Sequence, residues 1–187
     1  MKTTHCFRTG AAALAAVTLL AAGCADQSKE NTATLITATP APAVAPAKAA
    51  LKVVSVDSEE TAGENGKGAN AVDGDTSTIW HTQWQDASPA CPHEIVIELA
   101  PAGTIKGFTY LPRQDDSGNG SIKDYEFYVS NDGQNFGPPV AKGAFEATKD
   151  LKTVTFAPQA CRYVKLKALS EVNGEAWTSA AEIGVVQ

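Results

Sequence analysis

The sequence predicts an all-β domain, organised as a β-sandwich, for residues 51–187. Over several short segments of this region apolar and polar residues alternate, with the two-residue period of half-buried strands. Glycine, asparagine and aspartate separate these segments and mark turns. The same region carries no apolar stripe of helical period. Several short strands so closely spaced are typical of a sandwich.

The alternation is clearest in residues 93–99 and 124–130. The first segment places isoleucine and leucine at every second position, and the second does the same with two aromatic residues and a valine. Residues 131–133, Asn-Asp-Gly, then form a predicted turn. Further strands are predicted over residues 153–156, 162–168 and 182–186.

Residues 1–23 have the layout of a secretory signal. Lys2 and Arg8 precede an apolar run over residues 11–22, which ends in small residues. The run is too short to span a bilayer as a mature transmembrane helix. The sequence therefore predicts export.

The end of this signal, Leu19-Leu20-Ala21-Ala22-Gly23-Cys24, resembles a bacterial lipobox, in which the cysteine becomes the lipid-modified first residue. Ala21 stands where leucine is commonest, so ordinary cleavage near Gly23 is the alternative. Ala25 is not the aspartate of an inner-membrane retention signal, which favours the outer membrane in a double-membraned cell. We expect a lipoprotein of the bacterial cell envelope, or otherwise a periplasmic or secreted protein.

Residues 24–50 are rich in alanine, threonine and proline. Such a composition buries too little apolar surface to order itself, so a disordered linker is predicted. Proline-rich linkers extend by roughly 3.1 Å per residue, and this one could hold a domain several tens of Å from a membrane. The alternative is a tether with no function beyond spacing.

Oxygen-bearing side chains crowd the segment that runs from Asp73 to Thr78. Asp73, Asp75 and Thr78 could turn their oxygens onto one hard cation such as Ca²⁺. Asp-Gly-Asp is also an ordinary turn sequence, and taken alone the residues favour the turn. Both interpretations stay open at this level.

Three blocks of the sequence resemble the discoidin (coagulation factor type C) family, in the family's order. The blocks are Ala71-Val72-Asp73-Gly74-Asp75 with Thr78 and Trp80-His81-Thr82, then Leu111-Pro112-Arg113-Gln114-Asp115, then Asn173-Gly174 with Trp177-Thr178-Ser179-Ala180-Ala181-Glu182-Ile183. Family 32 carbohydrate-binding modules and the N-terminal domain of galactose oxidase are the most similar members. The resemblance extends from about Val53 to the C-terminus and implies a jelly-roll, galactose-binding-like sandwich with its binding loops at one end.

The resemblance also implies a sugar site. It places His81, Arg113 and Asn119 around the sugar, Glu64 at a less regular contact, and Trp84 and Trp177 as aromatic platforms. The pairing of histidine with arginine resembles that of galactose-selective members, which implies a terminal β-galactose or N-acetylgalactosamine on a glycan. The resemblance implies in addition a structural Ca²⁺ held by Asp73, Asp75, Thr78 and Glu182, with carbonyl oxygens of Asn70 and Ala181.

The residues themselves allow alternatives at this site. Alternation places the Trp80 side chain in the core and the His81 imidazole outside. Arg113 could bridge two sugar hydroxyls or form a surface ion pair with Asp115 or Asp116. Trp177 could be a core aromatic, although the loop before it, residues 173–176, favours exposure.

Cys91 and Cys161 are the two cysteines of the predicted domain. An even number in an exported protein predicts a disulfide between them, and a pair of buried free thiols is the alternative.

The composition excludes several function classes. The formal net charge is −6 and no Lys/Arg cluster is present, which argues against nucleic acid or an anionic membrane surface as partner. The sequence has no nucleophile elbow and no catalytic cysteine pattern, so we expect a non-catalytic binding module. We also expect a monomer. The competing function is a discoidin-type adhesion module that binds a phospholipid surface or a protein partner.

Overall fold

The structure is a computed structural model that describes residues 49–187. The predicted signal, Cys24 and nearly all of the predicted linker lie outside these residues. No helix among the described residues is long and apolar enough to cross a membrane. The strands are β1 (Ala50–Val56), β2 (Trp80–His81), β3 (His93–Leu111), β4 (Asp124–Ser130), β5 (Ala141–Ala144), β6 (Lys152–Ala168), β7 (Ser179–Ala180) and β8 (Glu182–Val186), with one 3₁₀ helix over Gly68–Val72.

The all-β prediction is confirmed, and two long antiparallel strands, β3 and β6, connect the two layers of the sandwich. The first layer has the order β1-β3-β6-β4-β5, in which β3 pairs with β6 through residues 93–98 and with β1 through residues 95–100. In the second layer, β3 residues 107–111 lie between β8 and the start of β6. The register shifts between Glu98 and Gly103, where both strands pass from one layer to the other.

The core contains the alternating residues that the sequence singled out. Ile95, Ile97 and Leu99 of β3 are almost fully buried, as are the apolar positions of β6 opposite them. Phe108 and Phe127 stack in parallel with ring centroids 4.1 Å apart, which joins the two layers. Burial of this apolar surface is the main stabilising term of such a domain, at roughly 25 cal/mol per Å².

The predicted strands over residues 153–156 and 162–168 belong to the single strand β6. β6 is irregular where it crosses between layers, and the residues there do not alternate in burial. The period-two pattern therefore predicts the two ends of the strand but not their continuity.

The predicted disulfide is wrong, because Cys91 and Cys161 are both free thiols. In the pairing of the two strands, Cys161 of β6 lies opposite Gly103 of β3, at the layer crossing. Cys91 lies two residues before His93 of β3, and His93 lies opposite Ala168 of β6. Cys161 and Ala168 are seven residues apart on one strand, or about 23 Å at roughly 3.3 Å per residue. A disulfide needs Cα atoms within about 7 Å.

Candidate functional site

One cavity of about 280 Å³ opens at the end of the sandwich where several loops meet. Its walls come from segments far apart in sequence, which the strand pairing brings together. The lining residues are Glu64, His81, Trp84, Arg113, Ser117, Asn119 and Trp177. All six residues that the family resemblance implied for a sugar site thus lie around one pocket, and Ser117 is an addition.

His81 lies on β2, which pairs with β7 so that His81 faces Ser179. The ring Nδ1 is 2.7 Å from the carbonyl oxygen of Thr82. Since a carbonyl only accepts, Nδ1 carries the hydrogen and Nε2 offers a lone pair. Burial lowers the pKa of His81, so the ring is neutral at pH 7.

Trp80 packs in the core as expected, but the expectation that the His81 imidazole points outside is wrong. His81 and Trp80 are 3% and 1% exposed. β2 is only two residues long and pairs with β7, and both of its residues are buried. His81 therefore reaches the cavity from within the protein, on a base fixed by the bond from Trp80 Nε1 to the Ser58 carbonyl, 2.9 Å long.

Arg113 both forms an ion pair with Asp115 and lines the cavity, two roles that the sequence left as alternatives. Its Nε donates to Asp115 Oδ1 at 2.7 Å, Nη2 donates to Asp115 Oδ2, and Nη1 donates weakly to the Asn119 carbonyl at 3.4 Å. A guanidinium has five N–H groups, so one hydrogen on each terminal nitrogen is left over. Asp115 fixes the plane of the fork and, by its hydrogen bonds, raises the pKa of Arg113.

The backbone conformation of the loop that carries Arg113 and Asn119 depends on a glycine. Gly120 has φ +81°, and a Cβ added there would lie 2.7 Å from the Ser179 backbone nitrogen. This close approach lets Ser179 donate its N–H to the Gly120 carbonyl at 2.7 Å and its hydroxyl to the Asn119 carbonyl at 2.9 Å. The Asn119 side chain is left exposed at the rim of the cavity.

Trp177 and Trp84 stand on different walls of the cavity. The Trp177 ring lies 6.4 Å from the His81 ring, centroid to centroid, and is tilted by 47°. Its Nε1 donates to Ser88 Oγ at 3.0 Å, so the indole is held at its edge and half-buried. Trp84 is 41% exposed and donates its Nε1 to Glu64 Oε1 at 3.0 Å. Glu64 Oε2 has no hydrogen-bond partner among residues 49–187 and can accept a further bond.

Glu60 is a positioning residue that the sequence analysis missed. The buried Glu60 carboxylate accepts hydrogen bonds from backbone N–H groups beside Glu64 in one wall of the cavity and beside Trp84 in another. These hydrogen bonds lower the pKa of Glu60 to about 2. The donors are Ala62, Gly63, Trp84 and Gln85, at 2.7 to 2.9 Å. No motif marks Glu60 in the sequence, since its partners lie up to 25 residues away.

His93 is a fully buried histidine outside the cavity, and both of its ring nitrogens face oxygen acceptors. Nδ1 lies 2.7 Å from Asp57 Oδ2 and Nε2 lies 2.8 Å from the Ala176 carbonyl, so both nitrogens donate. Burial opposes the charge, but the bonds to Asp57 and Ala176 outweigh it and raise the pKa of His93. The imidazolium ties the end of β1 to the residue before Trp177.

We expect thermal stability to fall as the pH rises above about 6.5. The folded pKa of His93 lies above its ordinary value of 6.5, so its stabilising contribution is complete below pH 6.5 and is lost through the folded pKa. Melting curves between pH 5 and 9 measure this decline, and His93→Gln should flatten it. An equally steep decline in the variant would assign the effect to another group.

The segment after the 3₁₀ helix forms the predicted turn. Asp73 Oδ1 accepts the Asp75 N–H at 2.8 Å, and Gly74, with φ +83°, donates its N–H to Glu182 Oε1 at 2.7 Å. The last bond fastens this loop to the start of β8, 108 residues away. Thr78 Oγ1 lies 2.8 Å from Asp73 Oδ2, so a hydroxyl and a carboxylate face each other.

The loop brings carboxylate and hydroxyl oxygens together, and its hydrogen bonds close the turn without an ion. Burial raises the pKa of Glu182, and the charges of Asp73 and Asp75 raise it further. Asn70 and Ala181, the other predicted ligands, are buried beside the loop. Within residues 49–187, no three Asp, Glu, His or Cys side chains are arranged to hold a metal. A cation here would therefore need hydroxyl and carbonyl oxygens as well.

The fold and the pocket together define a binding module of the galactose-binding-like class. Residues 54–183 match the F5/8 type C domain family, and the chain belongs to that family. Galactose oxidase of Gibberella zeae is 41% identical over 135 residues, which are 72% of this chain and 19% of that protein. The chain spans about a fifth of the length of the curated relatives it matches.

Two solved structures match the domain over nearly their whole length. One is a family 32 carbohydrate-binding module from Clostridium perfringens in complex with GalNAc-β-1,3-galactose, with TM-score 0.67, 37% identity, and coverage of 74% of this chain and 99% of that one. The other is a family 32 module from the same organism in complex with galactose, with TM-score 0.62, 31% identity, and coverage of 74% and 97%. The described domain is thus of a non-catalytic kind.

Proposed function

We propose that the domain binds glycans through a terminal galactose or N-acetylgalactosamine and does not alter them chemically. The observation that carries the proposal is the pairing, in one cavity, of two spare Arg113 N–H groups with the lone pair of His81 Nε2. A sugar hydroxyl donates and accepts at once, so it satisfies both partners. A carboxylate would face the Glu64 charge and the His81 lone pair, and an ammonium would face Arg113.

The other residues of the cavity suit the rest of a pyranose ring. Trp177 offers an apolar face to the C–H side of the sugar, while the Asn119 amide and the free Glu64 oxygen can bond further hydroxyls. A sugar with an axial O4 would present O4 and O3 to the adjacent N–H groups of the Arg113 fork. The complexes of the two Clostridium perfringens modules, one with GalNAc-β-1,3-galactose and one with galactose, support this choice of ligand.

Calorimetric titration of galactose, N-acetylgalactosamine, glucose and mannose tests the proposal. We expect Kd values for the first two between about 1 mM and 1 μM, and binding of glucose and mannose at least about tenfold weaker. Trp177→Ala should weaken galactose binding by about tenfold with little change in melting temperature. Leu151→Ala, which removes an exposed apolar side chain outside the cavity, is the matched control. Absence of galactose binding at millimolar concentration would refute the proposal.

We further propose that Ca²⁺ binds the loop between Asp73 and Thr78. Asp73, Asp75, Thr78 and Glu182 would hold it, with the carbonyl oxygens of Asn70 and Ala181. The support is the convergence of carboxylate and hydroxyl oxygens and the raised pKa of Glu182. The ion would be structural, since it would neutralise these charges and strengthen the attachment of the loop to β8.

Removal of this metal should lower the melting temperature. A ligand that binds only the folded state stabilises it by about 2.7 kcal/mol at a hundredfold excess over its Kd. Differential scanning calorimetry with Ca²⁺ or with a chelator measures the shift. Asp73→Ala should melt low and not respond to the chelator, whereas Asp150→Ala, a change at an exposed aspartate outside the loop, should respond like the wild type. An unchanged melting temperature in the wild type would contradict the calcium proposal.

We propose also that the protein is exported and anchored by a lipid at Cys24. The support is the signal layout and the lipobox-like end of residues 1–23. The linker of residues 24–50 would then present the domain to glycans away from the membrane.

A further inference from the structure

We infer that His93 is a positioning residue for Trp177, so that galactose binding weakens when the His93 ring loses a proton in neutral to mildly alkaline solution. This inference rests on the proposed function. His93 lies at the start of β3 and is fully buried outside the galactose cavity. Its Nε2 lies 2.8 Å from the carbonyl oxygen of Ala176, the residue before Trp177. The ring therefore contacts the backbone that carries the aromatic platform of the cavity.

Trp177 is held at three points, of which one can titrate. The residue before it faces His93. The residue after it, Thr178, donates its N–H to Thr82 Oγ1 at 2.9 Å and accepts the Thr82 N–H at 2.9 Å. The indole Nε1 donates to Ser88 Oγ at 3.0 Å. Serine and threonine hydroxyls keep their hydrogens at every accessible pH, so the His93 contact is the one of the three that depends on pH.

Both ring nitrogens of His93 face oxygens that carry no hydrogen. Nδ1 lies 2.7 Å from Asp57 Oδ2, and Nε2 faces the Ala176 carbonyl. An imidazolium satisfies both oxygens, whereas a neutral imidazole has a single N–H. After deprotonation that hydrogen stays on Nδ1, because a hydrogen bond to a carboxylate is the stronger one. Nε2 then turns a lone pair toward the Ala176 carbonyl, and the segment that carries Trp177 loses its hold.

The titratable groups on the buried side of His93 favour its charge or do not titrate in the same range. Asp57 at the end of β1 is negative, as are Glu171, which is buried, and Glu175, which is exposed, in the loop before Ala176. Cys91 Sγ lies 3.5 Å from the same Ala176 carbonyl. Burial raises the pKa of this thiol above its ordinary value of 9.0, so it stays protonated near neutral pH.

Other charged side chains lie on the outer face of the sheet. Glu94, the next residue on β3, bonds Lys165 and Lys167 of β6 there. Since successive side chains of a strand point to opposite faces, these groups are turned away from the His93 ring. Ala168, opposite His93 on β6, carries no charge.

The histidine of the cavity itself titrates in a lower range. Burial lowers the pKa of His81 from 6.5, so this ring is neutral above pH 6.5. Burial also lowers the pKa of His93, but its hydrogen bonds to Asp57 and Ala176 outweigh burial and hold it above 6.5. A change of galactose affinity above pH 6.5 therefore reports on His93.

Galactose titrations by calorimetry between pH 6.5 and about 9, together with an NMR titration of the His93 ring, test the inference. We expect the Kd to rise by about fivefold, the equivalent of one net hydrogen bond, with the midpoint at which the ring titrates. Because coupling is reciprocal, saturating galactose should move the ring midpoint upward by about 0.7, the logarithm of the same factor. The inference is overturned if the Kd stays constant while the ring titrates, or if the ring is neutral at pH 6.5 or still charged at pH 9.

Asp57→Asn separates the proton of His93 from a purely structural role. The amide keeps an oxygen for Nδ1 but removes the negative charge, so the ring and the galactose Kd should both shift to a lower midpoint. Asp150→Asn, the same change at an exposed aspartate, should leave the midpoint where the wild type has it. His93→Gln should bind galactose with a Kd that does not vary over this pH range. A Kd midpoint unmoved in Asp57→Asn would overturn the inference even if His93→Gln does not fold.

Failure of the proposed function can be told apart from failure of this inference. If galactose binds the wild type at no pH, the proposed function is wrong. The indole N–H resonance of Trp177 in the free protein then decides the role of His93. It should move with the midpoint of the His93 ring, and a resonance that stays constant through that midpoint would show that His93 does not position Trp177.

Discussion

Replacing Arg113 with alanine should raise the Kd for galactose at least about a hundredfold. The two spare N–H groups of the fork are charge-assisted donors, and hydrogen bonds to charged groups contribute about 1.5 to 3 kcal/mol each. A loss of about 2.7 kcal/mol is already a factor of a hundred. The sugar hydroxyls that faced the fork would also be left beside Asp115, which cannot donate. Calorimetric titration of galactose at high protein concentration measures the loss.

Two further substitutions make the Arg113 result specific. Arg113→Lys keeps the charge but not the planar fork, so it should still weaken binding by about tenfold or more. Arg162→Ala removes one positive charge from an exposed ion pair with Glu98 and should leave binding unchanged. The melting temperature of Arg113→Ala should change little, because the Asp115 carboxylate is 52% exposed and regains water. Galactose binding within threefold of the wild type would show that Arg113 does not contact the sugar.

The strands could be predicted from the sequence because their signal is local. β4 and β8 coincide with the predicted segments, since each lies within one layer of the sandwich. β3 and β6 exceed the predictions because they cross between layers, where neither face is uniformly buried. The disulfide prediction failed for a related reason: an even number of cysteines says nothing about the distance between Cys91 and Cys161 in the folded sandwich.

The residues of the candidate site were predictable through the family resemblance, while the residues that position them were not. Arg113 and His81 stand in recognisable sequence blocks. The sequence analysis considered Asp115 only as an ion-pair partner that would keep Arg113 out of the site. In the structure, the ion pair with Asp115 orients Arg113 within the site. Glu60 had no signal, because its four donors are backbone groups that any residue possesses. Side-chain chemistry is visible in a sequence, whereas a hydrogen bond between distant backbone segments is not.

Tyr110 is a second residue without a sequence signal, and its hydroxyl joins the loops beneath the site. The side chain is fully buried, donates to the Ser179 carbonyl at 3.0 Å, and accepts the Ile122 N–H at 3.0 Å. Burial also raises the pKa of Tyr110, so the group stays protonated at every physiological pH. One hydroxyl therefore links β3, β7 and the segment that leads into β4.

Tyr110→Phe should lower the free energy of unfolding by about 2 to 4 kcal/mol. The phenyl ring keeps the packing, but Ile122 and Ser179 each lose a buried partner, and an unsatisfied buried group costs about 1 to 3 kcal/mol. Urea unfolding followed by tryptophan fluorescence measures the change, with the m-value expected to stay constant.

Tyr163→Phe is the matched control for this experiment. Tyr163 is half-buried on β6, and its hydroxyl bonds no group among residues 49–187, so the change should stay within about 0.5 kcal/mol. If Tyr110→Phe is as stable as this control, the hydroxyl does not hold the loops. If it is destabilised as expected but binds galactose normally below its unfolding range, Tyr110 acts on stability alone. A loss of both would mean that Ser179, through its bonds to Asn119 and Gly120, transmits the position of β7 to the sugar site.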